Sequence, residues 1–340
     1  MRLIKTTEAV GHVLCHDMTQ IIPGTSKGPR FRKGHVVEQA DIPVLLSMGK
    51  EHVYVWEMEP GMVHEDDAAR QLCHLAEGPG CVHSDDIREG KIELSAAHDG
   101  LFQVDSERLV ALNSVEQVMM ATRKGNTAVH AGDKLAGMRV IPLVIEQARL
   151  DEAAAAVGAE PLCRVLPFTL RRVGIVTTGG EVAQGLIEDK FTPVVESKLA
   201  TFGLEVVAHE TVADGIERVA DAIARVREAG VDLVVCTGGM SVDPDDNTPG
   251  AIKASGAEVV AYGAPVLPGA MLLVGYFGDG TPVLGLPGCV MFAGATIFDL
   301  VLPRVAAGVR LTKADIVAYG EGGLCLGCPQ CTYPVCPFGK

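Results

Sequence analysis

The feature that most constrains the fold is an apolar run that breaks into a glycine turn in the second half of the chain. Residues 233–236 are all apolar, which is typical of a strand buried on both faces of a sheet. Thr237-Gly238-Gly239 follows, and an acidic loop then leads to Thr248-Pro249, a pair typical of a helix start. This order predicts a ligand site at the carboxyl end of a strand in an open α/β sheet.

The same alternation of strands and helices continues through residues 166–312. Strands are expected at 173–177, 204–208, 232–236, 258–261, 271–275 and 283–286, and helices at 192–202, 216–228 and 290–307. We therefore expect an α/β domain with a three-layer, doubly wound, mostly parallel sheet that is covered by helices on both faces.

The preceding part of the chain has short strands and glycine turns, which predict a smaller mixed α+β, β-rich domain. Within it, the helical spacing of Val115, Val118 and Met119 predicts a helix over 109–123. The expected boundaries are 1–150 for this domain, 151–165 for a helical linker, 166–312 for the α/β domain and 313–340 for a cysteine-rich tail.

The amino-acid composition limits the kinds of protein that this chain can be and the kinds of partner that it can bind. Of the 340 residues 48% are apolar and only 4% are aromatic, so a large core of Val, Leu, Ile and Ala is expected. The formal net charge of −14 argues against nucleic-acid binding and against an anionic membrane surface. No stretch has a signal-peptide pattern or the roughly 20 apolar residues of a membrane span, so a cytoplasmic protein is expected.

Three turns follow strands of the α/β domain, at residues 177–181, 237–241 and 286–289. In a doubly wound sheet such turns lie along one edge, where glycines and hydroxyls suit a phosphate or a polar ring. Asp189 follows the first turn and Asp246 follows the second. Carboxylates on neighbouring loops can share a magnesium ion that also holds a phosphate or an oxyanion.

These pieces together resemble a known family. The run 166–308 is similar to the molybdopterin-binding domain of the molybdenum-insertion enzymes (MoeA-like), the molybdopterin adenylyltransferases (MogA-like) and the gephyrin-type fusions. The matching pieces are Thr178-Gly-Gly-Glu181, Asp189, Thr237-Gly-Gly-Met-Ser-Val242 with Asp246, Pro268-Gly269 and Leu286-Pro-Gly288. Upstream, 31–36 and 132–143 look like a reduced version of the MoeA-like amino-terminal region.

The resemblance implies a function and a set of site residues. It implies that the turns bind the phosphate and pterin of molybdopterin, and that acids serve magnesium and molybdate while adenylylated molybdopterin is hydrolysed. The implied catalytic acids are Glu181, Asp189 and Asp246, of which Asp189 and Asp246 would also bind metal. The implied pterin-binding residues are Thr178, Gly179, Gly180, Thr237, Gly238, Gly239, Ser241, Thr248, Pro268, Gly269, Pro287 and Gly288.

The chain also departs from the MoeA-like pattern. The early Asp-Gly-Tyr-Ala segment is missing, Leu267-Pro-Gly-Ala270 replaces Lys-Pro-Gly-Lys, and Pro287-Gly-Cys-Val290 replaces Pro-Gly-Asn-Pro. The loss of both lysines removes positive charge expected near a phosphate. Two alternatives therefore stay open beside molybdate or tungstate insertion: a non-catalytic cofactor carrier or sensor that docks to a molybdoenzyme, and a nucleotide-related hydrolase of the competence-damage type. The family also implies a homo-oligomer.

Four of the ten cysteines lie close to the carboxyl end, as Cys325-x2-Cys328-x2-Cys331-x4-Cys336. In the cytoplasm they are not expected to form disulfides. The run resembles an iron–sulfur motif, although a ferredoxin run has three residues before its last cysteine. Zinc bound by four thiolates and a flexible thiol tail are the alternatives. Elsewhere, Cys73-His74 with Cys81-x-His83 makes an awkward metal cage, because two adjacent ligands are followed by a long loop.

Overall fold

A computed structural model describes residues 2–22, 26–55, 60–184, 186–241 and 246–340. The chain divides into two compact units. The first unit comprises Met1–Ala97, Gln103–Gly125 and Ala131–Val165, and the second comprises His98–Phe102, Asn126–His130 and Leu166–Lys340. Among the described residues, every helix is too short or too polar to cross a lipid bilayer.

The described residues form nineteen strands, ten α-helices and three 3₁₀ helices. The strands are β1 (Arg2–Lys5), β2 (Met18–Ile22), β3 (Ser26–Phe31), β4 (His52–Val55), β5 (Met62–His64), β6 (Cys81–His83), β7 (Ile92–Ala96), β8 (Gly100–Val104), β9 (Val118–Thr122), β10 (Thr127–Val129), β11 (Lys134–Val140), β12 (Val144–Glu146), β13 (Cys163–Pro167), β14 (Arg172–Thr178), β15 (Glu205–Val212), β16 (Leu233–Thr237), β17 (Glu258–Tyr262), β18 (Leu273–Tyr276) and β19 (Pro282–Leu286). The α-helices are α1 (Asp41–Ser47), α2 (Glu65–Ala76), α3 (Ser106–Asn113), α4 (Gln147–Val157), α5 (Gly180–Ala183), α6 (Thr192–Ala200), α7 (Ile216–Glu228), α8 (Thr248–Ala254), α9 (Ile297–Ala306) and α10 (Lys313–Val317).

A six-stranded sheet with the order β15-β14-β16-β19-β18-β17 organises the second unit. β14 pairs in parallel with β15 and β16, and β16 pairs in parallel with β19. β18 runs antiparallel to both β17 and β19. The α/β fold that the sequence predicts for this part of the chain is confirmed, with a mixed sheet.

Helices cover both faces of this sheet because successive strand residues point to opposite sides. One buried core contains Ile175 and Val235 together with Leu199 of α6 and Val301 of α9. The other core contains the neighbouring strand residues Val176 and Val234, together with Ile223 of α7 and Ile252 of α8. The central strands are thus buried on both sides, as their unbroken apolar sequences require.

The first unit is built from smaller antiparallel sheets. A four-stranded sheet has the order β6-β7-β11-β9, and two-stranded sheets pair β1 with β4, β2 with β3, and β5 with β12. The helical segment expected between the domains, α4, lies in this unit and buries Leu150, Ala153 and Val157.

Two predicted helices are wrong in their extent. The helix predicted over 109–123 stops at Asn113, and β9 follows, pairing with β11. The burial of residues 118–121 alternates, which is the pattern of a strand rather than a helix. The helix predicted over 290–307 begins at Ile297, where Thr296 and Asp299 form a capping box, and Gly288–Met291 is instead a 3₁₀ helix.

Candidate functional site

The three glycine turns leave the sheet of the second unit at one edge. The parallel register sets Thr177 of β14 opposite Thr237 of β16, and Thr237 opposite Leu286 of β19. Each of these residues is the last or the second-last of its strand, so the following turns lie side by side. The structure therefore brings the turns together at the carboxyl edge, where open α/β sheets bind ligands.

Two glycines with left-handed backbone angles shape the second turn. Gly238 and Gly239 have φ values of +83° and +55°. A Cβ atom on Gly238 would lie 2.2 Å from the carbonyl oxygen of Thr178, and one on Gly239 would lie 2.8 Å from Oγ1 of Thr248. A side chain is excluded at Gly238 because the first and second turns pack directly against each other, and at Gly239 because the start of α8 packs on the second turn.

Buried threonines tie these turns together. The Thr178 hydroxyl donates to the carbonyl oxygen of Thr237 at 3.2 Å, and the Thr248 hydroxyl donates to the carbonyl oxygen of Gly238 at 2.8 Å. The Thr237 hydroxyl donates to the Thr177 hydroxyl at 3.2 Å. The hydroxyls of Thr178, Thr237 and Thr248 thus brace the turns from within, and their contacts with a ligand stay predictions.

The backbone amides of the two turns differ in what they bind. In the first turn, the amide of Gly179 donates to the carbonyl oxygen of Val212 at 3.1 Å, and the amide of Gly180 donates to Oδ2 of Asp214 at 3.0 Å. In the second turn, the amides of Gly238 and Gly239 donate to no acceptor among the described residues. The second turn is therefore the better candidate for binding an anionic group.

Asp189 is held by the start of α6. Its Oδ1 accepts hydrogen bonds from the amides of Phe191 and Thr192, and its Oδ2 accepts one from the Thr192 hydroxyl at 2.5 Å. Burial opposes ionisation of Asp189, but these hydrogen bonds outweigh burial and lower its pKa. Nε2 of His209 lies 4.0 Å away and adds to this effect. Asp189 therefore stabilises a helix start, and its predicted catalytic and metal-binding roles stay predictions.

We expect Asp189→Asn to flatten the loss of stability in acid. Because the folded-state pKa of Asp189 is lowered, its ionised form stabilises the fold above the unfolded-state pKa near 3.9, and this stabilisation is lost as the pH falls through the folded-state pKa. The variant should be less stable at pH 7 by about 1–2 kcal/mol. Its deficit should shrink in urea unfolding curves measured toward about pH 3. Glu188→Gln, which changes the adjacent exposed acid, should track the native protein, and a deficit that is constant with pH would contradict this role.

Asp246 lies half-buried just before α8. It forms no hydrogen bond with another described residue, but burial and then the charge of Asp246 raise the pKa of the Tyr262 hydroxyl. That hydroxyl donates to the carbonyl oxygen of Met240 at 3.1 Å, which places Asp246 near the second turn. The Asp246 carboxylate thus makes fewer hydrogen bonds with described residues than the Asp189 carboxylate. It is therefore better able to bind a ligand or a metal ion.

The structure describes fewer contacts for the other predicted site residues. Glu181 lies in α5, but its side chain is outside the described part of the chain, as are residues 242–245 of the acidic loop. Ser241 is exposed beside that loop. Pro287 and Gly288 begin the 3₁₀ helix after β19.

Pro268 and Gly269 pack against α9, and among the described residues no hydrogen bond joins them to the glycine turns. The amide of Ile297 donates to the carbonyl oxygen of Pro268 at 3.2 Å. A Cβ atom on Gly269 would lie 2.4 Å from the Ile297 side chain. The described contacts of this loop therefore explain its glycine by packing.

Three residues of this edge were missed by the sequence analysis. Asp214 binds the first turn, and His209 contacts the Thr177 hydroxyl at 3.0 Å. The exposed Arg218 lies over Gly215, where a Cβ atom would be 3.5 Å from its guanidinium, and it supplies a positive charge at this edge. Asp214 comes two residues after the end of β15, but its contact with the first turn depends on the pairing of β15 with β14, which no local sequence signal shows.

The cysteine tail is folded as part of the second unit. Phe338 is buried in its core, and the Tyr333 hydroxyl donates to the carbonyl oxygen of Asp299 at 3.0 Å. The amide of Cys325 donates to the carbonyl oxygen of Leu267 at 2.8 Å. These contacts argue against the flexible thiol tail.

The first unit holds the one group of three potential metal ligands found among the described residues. The thiol of Cys73, the carboxylate of Glu77 and the imidazole of His83 have ligand atoms within 4.8 Å of one another. Oε2 of Glu77 and Nδ1 of His83 are 2.7 Å apart. His74, the neighbour of Cys73 in the predicted group, is exposed and does not belong to this cluster, whereas Glu77 was not among the predicted ligands.

A cavity of about 380 Å³ in the first unit was also missed. Its lining includes Glu65, which is 7% exposed, and Arg139, whose Nη2 lies 3.5 Å from Oε2 of Glu65. Burial and the neighbouring charge of Asp66 raise the pKa of Glu65. The cavity also borders His16, whose Nδ1 is buried without a hydrogen-bond partner among the described residues.

Comparison with protein families identifies two segments of the chain. Residues 174–307 match the model of a probable molybdopterin binding domain, so the resemblance noted for 166–308 is confirmed there. Residues 3–57 match the model of a domain of unknown function.

Individual relatives match the chain over part of their length. A CinA-like protein from Mycobacterium tuberculosis (strain ATCC 25177 / H37Ra) is 41% identical over 80 residues, which cover 23% of this chain and 18% of that protein. A molybdopterin molybdenumtransferase from Synechococcus elongatus is 27% identical over 180 residues, or 50% of this chain and 42% of that protein. The chain thus spans less than half the length of either relative. A solved molybdopterin biosynthesis moea protein from Pyrococcus horikosii aligns with 72% of this chain and 79% of its own, at 17% identity and a TM-score of 0.34.

Proposed function

We propose that the second unit binds molybdopterin and that the chain takes part in the biosynthesis of the molybdenum or tungsten cofactor. The observation that carries this proposal is that residues 174–307, which match a probable molybdopterin binding domain, contain all three glycine turns of the carboxyl edge. The phosphate of the ligand would lie at the amides of the Gly238–Gly239 turn. The pterin would extend along the edge toward the neighbouring turns.

Charge at this edge supports a magnesium-dependent site. Asp189, Asp214 and Asp246 bring carboxylates to this edge, and Leu267 and Ala270 stand where the family pattern has lysines. A phosphate placed beside these carboxylates is repelled unless a cation lies between them. Mg²⁺ is commonly held by one or two carboxylates together with substrate phosphates. We therefore propose Asp246 as its principal ligand, with Arg218 as an additional positive charge for the phosphate.

The same edge could perform metal insertion or could only carry the cofactor. For insertion, a carboxylate-bound Mg²⁺ would neutralise the phosphate of adenylylated molybdopterin while molybdate or tungstate is delivered to the pterin. For a carrier or sensor, binding is sufficient, and the two missing lysines favour this reading. A homo-oligomer is an expectation of either reading, whereas docking to a molybdoenzyme is an expectation of the carrier or sensor reading.

Turnover separates these readings. If the protein inserts metal, adenylylated molybdopterin with molybdate and Mg²⁺ should be consumed over many turnovers, and EDTA should stop consumption while added Mg²⁺ restores it. If the protein is a carrier, the pterin should bind without being consumed. Failure to bind either pterin form would contradict both readings.

A nucleotide-related hydrolase is the second candidate. The match to the CinA-like protein favours it, because that relative shares 41% identity over 80 residues and its name does not refer to molybdenum. The discriminating assay offers a pyridine nucleotide and molybdopterin in competition. If the nucleotide is hydrolysed and molybdopterin does not inhibit this hydrolysis, the result would favour the hydrolase.

A further inference from the structure

The four tail cysteines surround a single cavity in the second unit. Its volume is about 280 Å³, and Cys325, Cys328, Cys331 and Cys336 all contribute to its lining. The remaining lining includes Pro268, Gly294 and Phe338. Four thiols that line one mostly apolar cavity have the composition of a metal site rather than of four separate surface residues.

The spacing of the sulfur atoms argues against a single zinc ion. Zinc–sulfur bonds of about 2.3 Å place the sulfurs of a tetrahedral site about 3.8 Å apart. The tail lies entirely within the described residues, yet no three of its sulfurs lie within 4.8 Å of one another.

An iron–sulfur cluster fits the same observations. In a [4Fe–4S] cluster each thiolate binds a different iron, so the cysteine sulfurs are spread around the cluster instead of converging on one point. The sequence Cys325-x2-Cys328-x2-Cys331 supplies three ligands at ferredoxin spacing, and Cys336 is followed by Pro337 as in such runs. The one-residue longer spacing before Cys336 does not separate it from the others, because it lines the same cavity.

The surrounding contacts hold the cysteines in place without a metal. Cys331 packs on Gly294, where a Cβ atom would lie 2.9 Å from its Sγ. The amide of Cys325 is bound to Leu267, and Phe338 is buried beyond the last cysteine. A site arranged in this way loses less chain entropy when it binds a cluster than a disordered segment would.

We infer that Cys325, Cys328, Cys331 and Cys336 bind a [4Fe–4S] cluster in the cavity that they line. This inference is independent of the proposed pterin binding, because it rests on the tail cavity alone. Pro268 also lines this cavity. Binding of the cluster would therefore stabilise the loop at Pro268 and Gly269, which the family resemblance assigns to the pterin.

The test is iron and sulfide analysis of the full chain, purified without air and reconstituted with ferrous and ferric iron in equal amounts and with sulfide, which together supply the oxidation state of a [4Fe–4S]²⁺ cluster. We expect about four iron and four acid-labile sulfide per chain and a visible absorbance that dithionite bleaches. Cys328→Ser changes an exposed residue and should lower bound iron by about tenfold or more while circular dichroism stays unchanged.

Two matched variants assign the iron to the tail. Cys289→Ser removes a half-buried thiol outside the cavity, and His83→Ala removes a ligand of the Cys73 group in the first unit. Both should retain the full cluster. Zinc without sulfide, a reconstituted chain without iron, iron retained in Cys328→Ser, or iron lost in His83→Ala would each overturn the inference.

Discussion

Gly238→Ala should abolish pterin binding and strongly destabilise the second unit. The new methyl group would lie 2.2 Å from the carbonyl oxygen of Thr178, and both atoms belong to or extend rigidly from the backbone of adjacent turns. The left-handed φ of +83° adds a penalty for any residue with a Cβ atom. Together these effects predict a loss of roughly 2–5 kcal/mol in the free energy of unfolding, measured by urea denaturation.

Gly230→Ala is the matched control for the backbone penalty. Gly230 has a φ of +70°, and a Cβ atom there would meet nothing within 4 Å. This variant should lose only about 1–2 kcal/mol and should keep its affinity for molybdopterin. If Gly230→Ala lost as much stability and as much affinity as Gly238→Ala, the tight contact between the first and second turns would be contradicted.

Asp246→Asn should reduce turnover of adenylylated molybdopterin by about 10²–10⁴-fold if the chain catalyses metal insertion. The substitution keeps the size of the side chain but removes the charge that we propose for Mg²⁺. The affinity for molybdopterin should change little, because the substitution removes the proposed Mg²⁺ ligand and, with it, one of the negative charges that repel the phosphate. Turnover and binding are measured on the same preparation with saturating Mg²⁺.

Asp221→Asn is the matched control for this charge change. Asp221 is exposed on α7 and has no role in the proposed site, so its neutralisation should leave turnover unchanged. Unchanged turnover in Asp246→Asn would refute the catalytic role of Asp246. A parallel loss of binding and turnover would instead show that Asp246 holds the pterin itself.

Local sequence signals predict the framework of the site. The strands β14, β16 and β19 can be recognised in the sequence as apolar runs, because each is buried on both faces. Glycines follow the end of each of these strands. Since parallel strands align their carboxyl ends, the order of elements predicts that the turns lie along one edge, but it does not supply the distances between them. The resemblance to the molybdopterin-binding family rests on these same positions.

Contacts between distant segments are what the sequence could not predict. Asp214 reaches the first turn only because β15 pairs with β14, and the hydrogen bonds of Asp189 to the start of α6 do not follow from its place in the sequence. Two helix predictions were wrong for local reasons. Residues 118–121 alternate in burial and form a strand, and the capping box of Thr296 and Asp299, which was readable in the sequence, moves the start of α9.

The central claim is that the second unit binds molybdopterin, and direct titration of the full chain under anaerobic conditions tests it. Pterin fluorescence of the released ligand after oxidation reports the bound amount. We predict saturable binding of one molybdopterin per chain in the native protein and in Gly230→Ala, and none in Gly238→Ala. Absence of binding to the native protein at saturating ligand, or equal binding to all three proteins, would contradict the claim.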